Sequence, residues 1–283
     1  MEFNFESEIS EKKYFINPII LNKENKIDIS NKKNDISSTL EKSVVNQLQS
    51  EVGYACMLSG GVDSSILAYI LNKNSSKKID TFSIEFENKD YDESKHQKIL
   101  SKYIDSNHRS VIISENDIAE NFEKAIYHSE SIMFRTAPIP NLIMSNLIKK
   151  SGHKVVFSGE GADEIALGYD IFFENRIRKF WSKNKSSKTR WKLLSKLYDY
   201  MPQFKDKRYL SLTKDYYLNF LNEDNKNTFS HDMRWNQFDY IMSYFNFDTK
   251  KIKHETLTKF NDLYEDDLDQ VKNDEKCQLI EIN

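Results

Sequence analysis

One stretch limits the fold more than any other: Tyr54-Ala55-Cys56-Met57-Leu58-Ser59-Gly60-Gly61-Val62-Asp63-Ser64-Ser65. Its first five residues, apolar or aromatic throughout, read as a short buried strand. Two glycines follow closely. Hydroxyls and a carboxylate then open an amphipathic run over 66–71, the pattern of a helix N-terminus. Strand, tight turn and helix start together form a cradle for an anion of phosphate type. Gly60 and Gly61 supply backbone freedom and bare N–H groups, Ser59, Ser64 and Ser65 add hydroxyls, and the helix dipole adds partial positive charge. Asp63 is out of place beside a bare phosphate, because a carboxylate repels it unless a divalent cation lies between them. The loop therefore points to a magnesium–nucleotide complex. The Gly-x4-Gly-Lys-Ser/Thr loop of γ-phosphate-transferring NTPases does not occur in the chain.

The flanking sequence builds a parallel sheet around this unit. Ser37-Ser38-Thr39-Leu40-Glu41 offers a helix N-cap, and Leu40, Val44, Val45 and Leu48 repeat at helical spacing. β-Branched and aromatic residues over 79–86 predict a second strand, and Tyr91-Asp92-Glu93-Ser94 opens a helix reaching about Tyr103. Asn107-His108-Arg109 leads into a third strand over 110–113. Helices are expected over 117–128 and 142–150, with a loop over 128–141 between them. Strands separated by helical patterns mean βαβ units, and in such sheets ligands sit beyond the carboxyl ends of the strands.

Composition narrows the function classes. At 283 residues, with 18 Phe and 15 Tyr, the chain can build a sizeable core as one large domain or two smaller ones. A net charge of −3 gives no global argument for nucleic acid or an anionic membrane. No run of 18 apolar residues appears, and the acidic start, Met1-Glu2-Phe3-Asn4-Phe5-Glu6, is unlike a signal peptide. Cys56 and Cys277 are the only cysteines, which fits a reducing compartment and excludes a disulfide framework or a cysteine zinc site. A soluble, cytoplasmic protein is the expectation.

Two motifs resemble a known family. Ser59-Gly60-Gly61-Val62-Asp63-Ser64 resembles the pyrophosphate-binding loop of the ATP pyrophosphatases, which split ATP into AMP and pyrophosphate while adenylating a substrate. Val155-Val156-Phe157-Ser158-Gly159-Glu160-Gly161-Ala162-Asp163-Glu164, followed by Gly168-Tyr169, resembles the strand–loop signature of the asparagine synthetase synthetase domain. The likeness spans about residues 10–283. It implies an α/β fold, a parallel twisted sheet with helices on both faces, of the adenine nucleotide alpha-hydrolase type. An all-helical C-terminal extension would follow. The expected organisation is a lead-in over 1–36, the α/β domain over 37–175 and the helical extension over 176–283.

The resemblance also implies a site for ATP and Mg2+. Pyrophosphate would lie in the loop of Ser59, Gly60, Gly61, Asp63 and Ser64. The adenine would lie against Leu58, Ser83, Ile84, Ser158 and Gly159, and Mg2+ would be held by Asp63 and Asp163. Glu160 would orient or deprotonate an incoming amine, and Glu164 would be structural. Arg135 is a candidate clamp for a carboxylate or phosphate, because its planar fork suits bidentate anions. The implied chemistry is adenylation of a small-molecule carboxylate, aspartate or an analogue, followed by displacement of AMP by ammonia or an amine. A non-catalytic nucleotide-binding subunit and a tRNA-modifying ATP pyrophosphatase remain as alternatives.

Complete asparagine synthetases begin with a cysteine nucleophile for glutamine hydrolysis, and residue 2 here is Glu. Nothing here matches the Arg-x-Pro-Phe-Leu-Asp-like segment and phosphate-contacting lysine of the family's C-terminal helices. The expectation is one part of a split enzyme, joined by a glutaminase chain or by a chain supplying those helices. Eight basic residues and no acid lie between Arg176 and Lys192, beside Trp181 and Trp191, and read as a solvated helix face or docking surface. Phe229-Ser230-His231-Asp232-Met233-Arg234-Trp235 resembles a segment of longer, bacterial asparagine-synthetase-like amidotransferases, with His231 and Arg234 read as a buried capping cluster.

Overall fold

The computed structural model describes residues 2–3, 9–10, 29–130, 133, 135–198, 201–221, 227–242, 244, 248–264 and 277–278. The apolar island at 14–16 and 18–21 lies outside the described residues. Two compact units divide the chain, one of Ile27–Glu160 and one of Met1–Lys26 with Gly161–Asn283.

In the second of these units, β1 (Glu2–Phe3) and β2 (Ile9–Ser10) pair antiparallel. The unit Ile27–Glu160 holds the sheet: α1 (Ile29–Gln47), β3 (Tyr54–Met57), α2 (Val62–Asn74), β4 (Asp80–Phe86), α3 (Ser94–Tyr103), β5 (Asn107–Ile113), α4 (Glu115–Ser129), α5 (Pro138–Lys150) and β6 (Val155–Phe157). Its strands run in the order β5-β4-β3-β6 and all pair in parallel. The chain steps from β3 to β4 to β5 in one direction, then crosses back to lay β6 on the far side of β3. The order therefore reverses between β3 and β6, the crevice where open α/β sheets bind their ligands.

Period-two alternation along β3 divides the core between the two faces. Cys56 and Leu58 pack with Val44, Ala68, Leu71 and Ile104, from α1, α2 and the end of α3. Ala55 and Phe82 pack with Met144 and Ile148 of α5. Helices thus cover both faces, as the strand–helix alternation predicts.

Three boundaries differ from the sequence reading by three residues or more. The first helix starts at Ile29, not near Ser37. Nothing in the polar run ahead of Ser37 breaks a helix, and Ser38 Oγ donates to the Asp35 carbonyl at 3.0 Å instead of capping. Strand β5 starts at Asn107, three residues early, because Asn107 N bonds the Ile79 carbonyl at 2.9 Å and extends the ladder over polar edge residues. Helix α5 starts at Pro138 instead of Leu142: first-turn N–H groups have no intrahelical partner, so Pro138 and Pro140 begin the helix without breaking it.

The second unit is helical after Gly161. It contains α6 (Ala162–Ala166), α7 (Asp170–Ser182), a 3₁₀ turn (Arg190–Lys196), α8 (Pro202–Lys205), α9 (Lys207–Leu218), α10 (Asp232–Met242) and α11 (Thr249–Tyr264). Trp181, Leu194, Leu197, Phe204, Tyr217 and Leu221 form its core. Cys277 is buried against Ile171 and Phe172. Among the described residues, no helix is long and apolar enough to cross a membrane.

Candidate functional site

The loop between β3 and α2 is built by its own hydroxyls. Gly60 has a φ of +91°, which favours glycine, and turns the chain out of the strand. Ser59 Oγ and Ser64 Oγ lie 2.8 Å apart, the Gly61 N–H donates to Ser59 Oγ at 3.2 Å, and Ser64 Oγ donates to the Gly61 carbonyl at 3.2 Å. Ser65 Oγ donates to the same carbonyl at 2.6 Å. The three hydroxyls read from the sequence as anion donors thus also bond within the loop and hold its shape, with Ser64 buried, Ser65 half-buried and Ser59 exposed. The start of α2 adds its first N–H groups, which lack intrahelical acceptors. Asp63 sits in that first turn, half-buried. Beneath the loop, burial pushes the Cys56 thiol up to about 12, so it serves as packing and not as a nucleophile.

The second loop leaves β6 on the adjoining track. Cys56 pairs with Phe157 across the two strands, so the residues after each strand emerge side by side. A Cβ added to Gly159 would stand 3.0 Å from Ser64 N and 3.3 Å from both the carbonyl carbon and Cβ of Asp63. Gly159 therefore lies against the backbone of residues 63–64. Glu160 follows at the surface, its N–H donating to the half-buried Ser158 Oγ at 3.0 Å. The structure thus brings Leu58, Ser59, Gly60, Gly61, Asp63, Ser64, Ser158, Gly159 and Glu160 to one end of the β3–β6 pair.

Ser83 and Ile84, in the middle of β4, lie beside the first loop. Ser83 Oγ donates to the Leu58 carbonyl, and the Leu58 N–H donates to the Phe82 carbonyl at 2.8 Å. Arg135 is exposed in the bend before α5. Asp163, half-buried in the first turn of α6, belongs to the other unit. Gly168 makes room for it: a Cβ there would fall 2.0 Å from Asp163 Oδ1. Glu164 is tied into that unit, accepting from Tyr169 OH at 2.9 Å while its carbonyl accepts from Gln278 Nε2 at 2.9 Å. Among the described residues, no group of three His, Cys, Asp or Glu side chains is placed to hold a metal.

A family model described as asparagine synthase matches residues 35–277. The chain belongs to the asparagine synthase family. Among its curated relatives, asparagine synthetase [glutamine-hydrolyzing] 3 of Arabidopsis thaliana is 32% identical over 155 residues, 51% of this chain and 26% of that protein. Asparagine synthetase B [glutamine-hydrolyzing] of Escherichia coli (strain K12) is 30% identical over 155 residues, 50% of this chain and 28% of its own. The chain spans about a quarter of the length of the curated relatives it matches. A solved NH3-dependent NAD synthetase from Campylobacter jejuni covers 48% of this chain and 60% of its own at 20% identity, with a TM-score of 0.34. The fold assignment rests on the strand order and the two-faced core.

In this asparagine synthase domain one residue of the site escaped the sequence reading. Gln97 of α3 is buried, and its Nε2 donates to the Ser59 carbonyl at 3.2 Å and the Ile84 carbonyl at 2.9 Å. It pins the glycine turn to β4. The signal is present in the sequence: Gln97 falls on the stripe of Leu100, Ser101 and Ile104 that faces the core, and a glutamine on a buried helix face needs polar partners.

Proposed function

We propose that the chain is the nucleotide-binding, carboxylate-activating part of an ATP-dependent, amide-forming ligase of the asparagine synthase type. The observation that carries this reading is the contact of Gly159 with residues 63–64, at the point where the strand order reverses. It is supported by the family assignment and by relatives whose names are asparagine synthetases.

In this reading ATP lies with its pyrophosphate over the start of α2. The loop N–H groups and the helix dipole stabilise negative charge on the departing pyrophosphate. An oxygen of the substrate carboxylate, from aspartate or an analogue, forms a bond to the α-phosphorus as the bond to pyrophosphate breaks. Ammonia or an amine then bonds the acyl carbon as the bond to AMP breaks, and the nitrogen's surplus proton passes to Glu160, which stands exposed at the end of the second loop. Asp63 suits Mg2+, which commonly takes one or two protein carboxylates plus phosphate oxygens. When bound, the ion shields the phosphate charge from Asp63. A glutaminase chain, or one carrying further helices of the family, would supply what the relatives hold outside the matched quarter of their length.

ATP–pyrophosphate exchange tests the proposal, with aspartate and related acids, with and without candidate partner chains. Exchange that requires a carboxylic acid and is lost in Asp63→Asn supports it. Nucleotide binding without exchange under every condition would instead favour a non-catalytic subunit.

A further inference from the structure

The helical unit holds a cavity of about 690 Å3, lined by residues of that unit. Met201, Phe204, Leu212 and Met233 supply apolar wall, and at one end lie Glu174 and Arg234, the only charged lining residues among those described. Glu174 is sealed, its side chain 3% exposed. It accepts from Tyr198 OH at 2.5 Å and Tyr217 OH at 3.1 Å, and Arg234 approaches it at 3.4 Å. Behind it Arg178, fully buried, places Nη1 3.6 Å from Glu174 Oε1, donates to the Ser230 and Phe220 carbonyls, and lies over the Phe229 ring at 4.1 Å. Asp232, also buried, is among the charges acting on Arg178.

Four formal charges, two of each sign, thus meet at this end. Glu174, Asp232 and Arg178 are shut away from solvent. Arg234 is not: its side chain is 40% exposed, so the charge the cavity presents is positive. Arg178 already stands against Glu174, which makes Arg234 a second guanidinium on a carboxylate that has a partner. Both its Nη atoms reach the Glu174 carboxylate, at 3.4 and 3.5 Å, and Nη2 donates to Tyr198 OH at 2.6 Å, which fixes the guanidinium while its exposed part adds positive charge to the cavity.

We infer that this cavity binds a small amphipathic carboxylate, with the acid group on Arg234 and the hydrocarbon body against Met201, Phe204 and Leu212. The volume falls in the range of small-molecule sites, and an apolar wall with a few convergent polar groups is their usual make-up. A cation would meet the like charge of Arg234. A wholly apolar ligand would gain nothing from it. The inference goes beyond the nucleotide reaction and does not depend on it.

Isothermal titration of the full chain with octanoate, octanamide and octylamine tests this. Octanoate should bind at least about tenfold more tightly than octanamide, and octylamine should not bind, the difference measuring the contribution of one charged pair. Arg234→Met should abolish the preference for the acid. Because Arg234 also braces Glu174, a second variant guards against misfolding: Leu212→Glu, at a 67% exposed position on the wall, puts a charge where the hydrocarbon body would lie. It should weaken octanoate about tenfold and leave the melting temperature unchanged. Equal binding of acid and amide, no binding of either, or octanoate binding that Leu212→Glu leaves intact would each overturn the inference.

Discussion

Gly159→Ala probes whether the nucleotide site depends on the meeting of the two loops. The new methyl would lie 3.0 Å from Ser64 N and 3.3 Å from two carbons of Asp63, well inside ordinary contact distance. Two of these three atoms are backbone, so relief requires that one loop draw away from the other. Such overpacking costs typically about 1–3 kcal/mol. If nucleotide binding needs the native apposition, that cost falls on the bound state, and at about 1.4 kcal/mol per decade the affinity for Mg·ATP drops roughly 5- to 150-fold. Gly152→Ala is the control. Gly152 has φ +89° and nothing within 4 Å of its would-be Cβ, and it lies in the turn before β6, at the other end of that strand. It should lower stability by about 1 kcal/mol through backbone strain alone and leave the affinity unchanged. Equilibrium titration with a fluorescent ATP analogue, beside urea melts of both variants, separates the two effects. Wild-type affinity in Gly159→Ala, or the same loss in both variants, would refute the argument.

Further outcomes follow from the same unit. Gln97→Leu removes the donor shared by the Ser59 and Ile84 carbonyls; it should cost about 1–3 kcal/mol in urea melts and weaken ATP binding, and unchanged binding would show that the strut does not shape the loop. Burial lowers the pKa of His108, whose Nδ1 faces Thr81 Oγ1 at 3.0 Å while its buried Nε2 has no partner among the described residues. Because the folded value lies below the unfolded one, this contribution is complete above about pH 6.5 and is lost as the pH falls. The urea midpoint should therefore drop as the pH is lowered from neutral into the acid range, less so in His108→Gln, and an equal drop in both proteins would exclude His108 as the cause. Cys56, with its thiol pushed up to about 12 by burial, should resist iodoacetamide in mildly alkaline buffer until the unit unfolds, as peptide mapping would detect.

The sheet is legible in the sequence because its signals are local and mutually consistent. The run 54–58 ends in glycines, the 79–86 run is β-branched and aromatic, and Ser158-Gly159 follows a short apolar strand, so the residues alone place both loops at the strands' carboxyl ends. The boundaries at Ile29 and Pro138 are not legible in this way. Serines can bond back to the preceding turn as well as cap, and prolines that break a helix interior are harmless in its first turn. The bonding of Ser59, Ser64 and Ser65 within the loop is hidden because a sequence names donors without showing which acceptors lie nearest. Gln97 and Arg178 are hidden because polar residues on an amphipathic helix are assigned to water by default. His231 is buried, with Nδ1 2.8 Å from Ser230 Oγ, whereas the Arg234 side chain is 40% exposed.

Strand β3 is only four residues long, yet it has a partner on either edge, whereas β5 and β6 each have one among the described residues. Its amides are bonded from both flanks and should be among the slowest in the unit to exchange with solvent. The glycine turn grows directly from this stiffest segment, and Ser59 and Gly61 lock it further. A nucleotide binding there, as proposed, would meet a receptacle already in shape, so little of its binding energy would go into ordering the protein.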